Sequence, residues 1–332
     1  MVLVMLKQVV KNALAACGFE LRRLANPINP ITLQNGQPSE ITERMTASDL
    51  GVWGEFAANN FSDAFDPDTL QLRSNFLRQK HISNTLHPYY RVLGIAIGQY
   101  LAGTSFGSRL MSLYSDSHFG CPHWVGPELP GFSCVCLQHL SYVELIKRHL
   151  NIDLTLVDKP LQFIDFGGGY GNMARLLVHL NANIIVDIVD IPAMLMLQKA
   201  FLQTTISNKT MLERIRLHHS TVEDYNRVSM ADNSLNPHIH FNATFSLNET
   251  PFSIRDNIEH DLIRNADSFF IAYTLKHLGL DNTHWIDSFC SGIQNLFELK
   301  RGYLPGYEPN SFICGGRSAM SERSAPLSCA PL

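Results

Sequence analysis

Long hydrophobic runs, paired cysteines and basic clusters are what this sequence lacks. No stretch of 18 apolar residues occurs among its 332, so no segment reads as a membrane-spanning helix. Its seven cysteines (Cys17, Cys121, Cys134, Cys136, Cys290, Cys314 and Cys329) form no C-x-x-C pair. An odd, scattered set makes no disulfide framework and suits a reducing, cytoplasmic setting. Cys134-Val-Cys136 with His139 has no second ligand pair nearby, and no H-x-x-x-H or paired-carboxylate spacing occurs, so no metal site is expected. Lys and Arg number 26 against 30 acids and form no long run, which argues against nucleic acid as a partner. Internal repeats and low-complexity tracts are missing as well, which removes solenoid architectures.

What is present is a 45% apolar composition, enough for a sizeable core. Residues 1–25 read as an amphipathic helix, with Leu3, Leu6, Val10, Ala13, Leu14 and Cys17 at helical spacing. Leu14-Ala-Ala-Cys17 resembles a lipoprotein box, but Lys7, Gln8, Lys11 and Asn12 interrupt the apolar stretch that box requires. Residues 1–24 suit either weak contact with an anionic membrane surface or docking on the chain's own domain or on a second subunit, as in a homodimer. Residues 26–40 read as a linker and 41–150 as a mostly helical region, with Asp66-Pro67 starting one of its helices. Residues 116–134 form an irregular loop. The tail, 318–332, is rich in Ser, Ala and Pro and is expected to fray.

From Leu161 strand and helix alternate. Strands are assigned to 161–166, 184–189, 214–219, 238–245, 268–273, 295–303 and 311–315. Such alternation predicts an α/β fold with a mostly parallel, Rossmann-like sheet. The last two strands are joined only by Leu304-Pro-Gly-Tyr-Glu-Pro309, which leaves no room for a crossover helix, so they form a terminal antiparallel hairpin. Residues 151–317 constitute this nucleotide-type domain.

Its first strand runs into Asp165-Phe-Gly-Gly-Gly-Tyr-Gly171 and then into a helix. A Cβ at Gly167, Gly169 or Gly171 would obstruct the turn or the approach of a ligand to its backbone. Amides at the helix start face the ligand. Asp190, nineteen residues past Gly171, suits a ribose diol, since a carboxylate accepts from both hydroxyls. Gly169-Tyr-Gly-Asn-Met-Ala174 also fits the NAD pattern G-x-G-x-x-A. Asp165, the mid-chain position of the turn and Asp190-Ile-Pro192, which resembles the strand-end D-x-P segment of S-adenosylmethionine (SAM)-dependent O-methyltransferases, favour SAM, with Asp165 near its cationic amino end. A glycine turn with no ligand is the bland alternative.

Residues from about 115 to 317 resemble the bacterial sugar O-methyltransferase family of class I SAM-dependent enzymes. The resemblance rests on the glycine turn, Val189-Asp-Ile-Pro192 with Gln198, and Asn242-Ala-Thr-Phe-Ser-Leu-Asn-Glu249. Gly279-Leu-Asp-Asn282, Pro305-Gly-Tyr307 and Phe312-Ile-Cys-Gly315 add to it. The run at 242–249 departs from the family's usual S-F-S-E-M. The resemblance implies a class I methyltransferase sheet with a helical N-terminal acceptor-shaping region. It also implies SAM as cofactor and a sugar or glycan acceptor of bacterial surface polysaccharide synthesis.

The cofactor set is then Asp165, Gly167, Gly168, Gly169, Gly171, Asp190, Ile191 against the adenine, Asp224 toward the adenine amino group, and Asn242. Glu223 and Asp224 equally suit a solvated helix start. A sugar hydroxyl needs its proton removed, and Glu249 is the first candidate base, His277 the second. Asn242, Asp281 and His240 are further candidates by position, although Asp281-Asn282 also reads as a turn and His238 or His240 as sheet packing. An NAD-dependent oxidoreductase or epimerase is the competing enzyme, but no Tyr-x-x-x-Lys pair supports it. A non-catalytic scaffold keeping the fold is the third reading.

Overall fold

The computed structural model describes residues 61–318 apart from 67, 70, 221–227, 229–236, 278–279 and 307–309. The expected helix at 1–25, the linker at 26–40, Asp224 and the tail beyond Ser318 lie outside the described residues.

The first described segment corrects one expectation. Asp66 starts no helix; its carboxylate accepts from the N–H groups of Asp68 and Thr69 and from the Thr69 hydroxyl. Those bonds close a tight turn, because Phe65 and Leu72 bridge in antiparallel fashion on either side of it. Helices come next at Lys80–Thr85 (α1), Arg91–Ala102 (α2), Ser105–Leu113 (α3) and Cys134–Leu150 (α4). The apolar stretch 89–113 breaks at Gly103 because Thr104 caps a new helix, its hydroxyl accepting from the Gly107 N–H at 2.9 Å. Ser133 caps α4 in the same way, and Asn151 ends it in the left-handed region.

The strands are Leu161–Phe166 (β1), Ile184–Asp190 (β2), Ile215–His219 (β3), His238–Thr244 (β4), Ser268–Tyr273 (β5), Lys276–His277 (β6), Leu280–Asp281 (β7), Phe297–Tyr303 (β8) and Ser311–Arg317 (β9). Seven of them form one sheet in the order β3-β2-β1-β4-β5-β9-β8. β1 to β5 pair in parallel, whereas β9 lies antiparallel to both β5 and β8. This is the expected Rossmann-like, mostly parallel sheet, with the antiparallel hairpin at one end. β6 and β7 form a separate small hairpin.

Connecting helices are Asn172–Leu180 (α5), Pro192–Thr205 (α6), Lys209–Leu212 (α7), Ser246–Glu249 (α8), Phe252–Ile258 (α9) and Thr283–Ile293 (α10). β1 and β5 are buried at every position, as expected for central strands covered on both faces. Alternate residues of β5 serve two cores. Phe270 and Ala272 join the side shared with α2, α4, α5 and α6, while Phe269 and Ile271 join the side packed by α9 and α10. The first of these cores runs without a break from Leu93, Ile97 and Leu101 of α2 through α4 to Phe163 of β1. The helical segment is thus set directly beside the carboxyl ends of the strands. The strand order reverses between β1 and β4, and open α/β sheets present their ligand site at that crevice.

Candidate active site

The glycine turn leaves β1 and enters α5 at the switch point. Gly167 sits at φ +71°, and a Cβ there would come within 2.2 Å of the Ser246 Cβ. Contact this close requires glycine for steric as well as conformational reasons. Ser246 completes the contact by donating its hydroxyl to the Phe166 carbonyl. Gly169, at φ +56°, has nothing within 4 Å of its Cβ position. Its bare backbone faces open space.

Asp165 and Asn242 lie side by side on β1 and β4, in register. Asn242 Nδ2 donates to Asp165 Oδ1 at 2.8 Å. Asp165 Oδ2 and Asn242 Oδ1 are both buried and have no partner among the described residues. Two adjacent acceptors without a donor are costly to bury unless a ligand supplies one. Burial pushes the Asp165 carboxyl up to about 6, against the lowering effect of the Asn242 bond.

Asp190 ends β2. Its Oδ1 accepts from the Ile191 N–H at 2.8 Å and its Oδ2 from Gln198 Nε2 at 2.6 Å. A carboxylate has about four lone-pair sites, and the Gly168 N–H also acts on this one, so part of its accepting capacity remains for a ligand hydroxyl. Burial raises this carboxyl to about 7; hydrogen bonds from Ile191 and Gln198 oppose the rise and the neighbouring Asp165 adds to it. Gln198 also donates to the Gly169 carbonyl at 2.9 Å, so one α6 side chain ties the turn to the acid at the end of β2.

Two cavities open here. A narrow one of about 80 Å³ is lined by Phe166, Val189, Asp190, Ile191, Met194 and Ile254 among others, an apolar slot with the acid at its edge. A wider one of about 420 Å³ contains Asp165, Gly168, Glu249, Lys276 and the α4 residues Gln138 and His139. Gly167, Gly169 and Ser246 line both.

Glu249 closes the α8 turn and lines the wider cavity. Phe245, held at φ +69°, reverses the chain before it. The fully buried Arg255 anchors the turn from its far side. It donates to the carbonyls of Asn248 and Thr250, one on each side of Glu249, and to Asn282 Oδ1 at 2.7 Å. Asn282 in turn donates to the carbonyls of Thr274 and Leu275, which fastens the β6–β7 hairpin to the same guanidinium. Phe252 and Trp285 cover the Arg255 cation from two sides.

The structure separates the sequence-derived candidates. Asp165, Gly167, Gly168, Gly169 and Glu249 meet in the wider cavity, while Asp190 and Ile191 meet the turn in the narrow one. Gly171 caps α5 from just before its start, at φ +96°, and serves the turn's shape. Asn242 stands behind Asp165. His240 falls mid-strand, fully buried against Ser268 Oγ at 2.8 Å, because β4 continues to Thr244; it is a packing residue. Asp281 ends β7, and its carboxylate accepts from the Thr283 N–H at the start of α10. The backbone of His277 lies in β6, but its side chain, like Asp224, falls outside the described residues. Among the described residues no group of three or more metal-ligating side chains occurs.

Sequence reasoning passed over Ser246, Lys276 and His139 as site residues. The first two sit in segments whose approach to the turn depends on tertiary packing. His139 belongs to a helix more than twenty residues before the turn, with no local signal.

No family model matches the sequence, and no curated protein matches it. Among solved structures, the chain is similar to a precorrin-6y C5,15-methyltransferase from Geobacter metallireducens, at 14% identity and a TM-score of 0.33, covering 52% of this chain and 87% of that one. It is similar as well to a SAM-dependent methyltransferase from Aquifex aeolicus, at 15% identity and TM-score 0.36, covering 53% and 98%. A fibrillarin pre-rRNA processing protein from Methanococcus jannaschii matches at 11% identity and TM-score 0.35, over 48% and 67%. At these values activity has to be read from the site itself.

Proposed function

We propose that this chain is a SAM-dependent methyltransferase acting on a hydroxyl of a sugar or glycan intermediate. The observation that carries the cofactor is the orphaned acceptor pair, Asp165 Oδ2 beside Asn242 Oδ1, next to the open backbone of Gly169. An ammonium group supplies the donors this pair lacks. The remaining accepting capacity of Asp190 and the apolar slot past Ile191 fit a ribose and a purine. SAM would supply an electrophilic methyl on a sulfonium, and the protein's part is alignment.

Glu249 is the proposed base. It stands in the wider cavity on the acceptor side, held by Arg255 through the peptide groups flanking it. His277 is a second candidate from the adjacent hairpin. The cavity wall mixes amides, hydroxyls and Tyr90 with a few apolar side chains, which suits a polyhydroxylated acceptor better than a lipid or a flat aromatic. A role in surface polysaccharide synthesis, a homodimer, contact of residues 1–24 with a membrane, and Asp224 at the adenine complete the proposal. They rest on sequence alone.

Calorimetric titration with S-adenosylhomocysteine and, separately, NAD⁺ tests the cofactor. Binding of S-adenosylhomocysteine that is lost in Asp190→Ala is expected, followed by transfer of label from SAM to members of a sugar and nucleotide-sugar panel, abolished in Glu249→Gln. Binding of NAD⁺ alone would overturn the reading.

A further inference from the structure

We propose that His139 seats the carboxylate of the cofactor's amino acid end through a fixed Nε2–H. This inference rests on the SAM reading above. Its basis is a chain of hydrogen bonds that leads from a cation to the cavity wall. Arg175 Nη1 donates to Tyr114 Oη at 2.5 Å. The Tyr114 hydroxyl meets Asn172 Oδ1 at 3.1 Å, and Asn172 Nδ2 meets His139 Nδ1 at 3.2 Å.

Arginine can only donate. Its bond occupies the phenol oxygen as an acceptor, which leaves the phenol proton for Asn172 Oδ1. The Asn172 amide must then point Nδ2 at the imidazole, making Nδ1 the acceptor and placing the ring proton on Nε2. The reversed amide would strand the Tyr114 proton, for Tyr114 is almost wholly buried. One end of the relay is a cation, so each bond is polarised toward His139.

The ring is held neutral by burial, which pulls it down to about 4. Nε2 has no hydrogen-bond partner among the described residues and is not enclosed by protein, and the residue lines the wider cavity. That cavity also holds Asp165, the turn and Met173 of the first turn of α5. Asn172 is the first residue of α5, so the imidazole stands beside amides that open that helix. An α-amino acid presents an ammonium and a carboxylate on one carbon. Asp165 and Asn242 offer acceptors to the first; the Nε2–H, with Gln138 on the same helix, offers donors to the second. A neutral donor held by a distant cation meets an anion without neutralising Asp165.

The test compares S-adenosylhomocysteine with 5′-methylthioadenosine, which keeps the nucleoside and thioether but lacks both charged groups. In the full-length protein, His139→Phe is expected to weaken S-adenosylhomocysteine about tenfold, as loss of a hydrogen bond to a charged group would, and to leave methylthioadenosine unchanged. His139→Gln, which keeps an N–H donor, should restore most of the difference. Tyr114→Phe, outside the cavity, should lose part of it by freeing the ring. An unchanged preference in His139→Phe would overturn the proposal, as would equal weakening of both ligands. A wild-type protein binding neither ligand would instead overturn the SAM reading itself.

Discussion

At the residue scale the site turns on two buried carboxyls kept near neutrality. Asp165 is raised to about 6 and Asp190 to about 7 from 3.8, chiefly by burial. The sign comes from linkage. A carboxyl whose folded value is raised binds protons better when folded, so its contribution to stability is complete below the unfolded value and is lost as pH rises through the folded one. The unliganded protein should lose thermal stability between about pH 4 and pH 7, and Asp165→Asn should remove part of that slope. On the proposed reading ligand binding needs both groups ionised, so affinity for S-adenosylhomocysteine should rise over the same interval and level off above pH 7. A pH-independent affinity in calorimetry from pH 5 to 8 would contradict this. Gly169→Ala is the companion case: the position is at φ +56° with empty space before it. The substitution should cost about 1 kcal/mol in folding, yet reduce S-adenosylhomocysteine binding far more, measured by urea unfolding beside calorimetry. Asp165, Asp190 and the glycines were legible in the sequence because short-range spacing alone sets their chemistry. His139 was not, since its tautomer is fixed by Arg175, thirty-six residues away.

At the element scale the acceptor side depends on one side chain. Arg255 of α9 grips the peptide groups around Glu249 and, through Asn282, the β6–β7 hairpin. Arg255→Gln leaves the carbonyls of Asn248 and Thr250 without their donor. We expect a loss of about 2–4 kcal/mol in urea unfolding. Because Thr250, Pro251 and Ile254 also line the narrow slot, weaker S-adenosylhomocysteine binding should accompany it. A change under about 0.5 kcal/mol would show the contacts to be incidental. Short, mostly apolar runs between helical segments marked the central strands in the sequence: 161–166 and 268–273 agree with β1 and β5 at both ends. The β6–β7 hairpin escaped because two-residue strands carry no periodicity, and Asp66 misled because a capping acid serves a turn and a helix with the same bonds.

At the scale of the whole molecule, the mostly parallel sheet divides the described residues into two cores that share β1, β2, β5 and β9. The helices before residue 150 belong to the first of them, through Leu137, Leu140 and Ile146 of α4 packed with Phe163 and Phe270. A ligand bridging Asp190 on β2 and His139 on α4 would therefore tie the carboxyl end of an inner strand to a helix that already shares its core. Loss of either core exposes β1 and β5, so neither can melt while the other stays folded. Heating the full chain should give one major transition across the helical and sheet portions, whether followed by circular dichroism or by Trp fluorescence. S-Adenosylhomocysteine at a hundredfold its dissociation constant should stabilise that single transition by about 2.7 kcal/mol. Two separated transitions, with only the later one moved by ligand, would mean that the segment before residue 150 folds as an independent unit and that the wider cavity forms only by its docking.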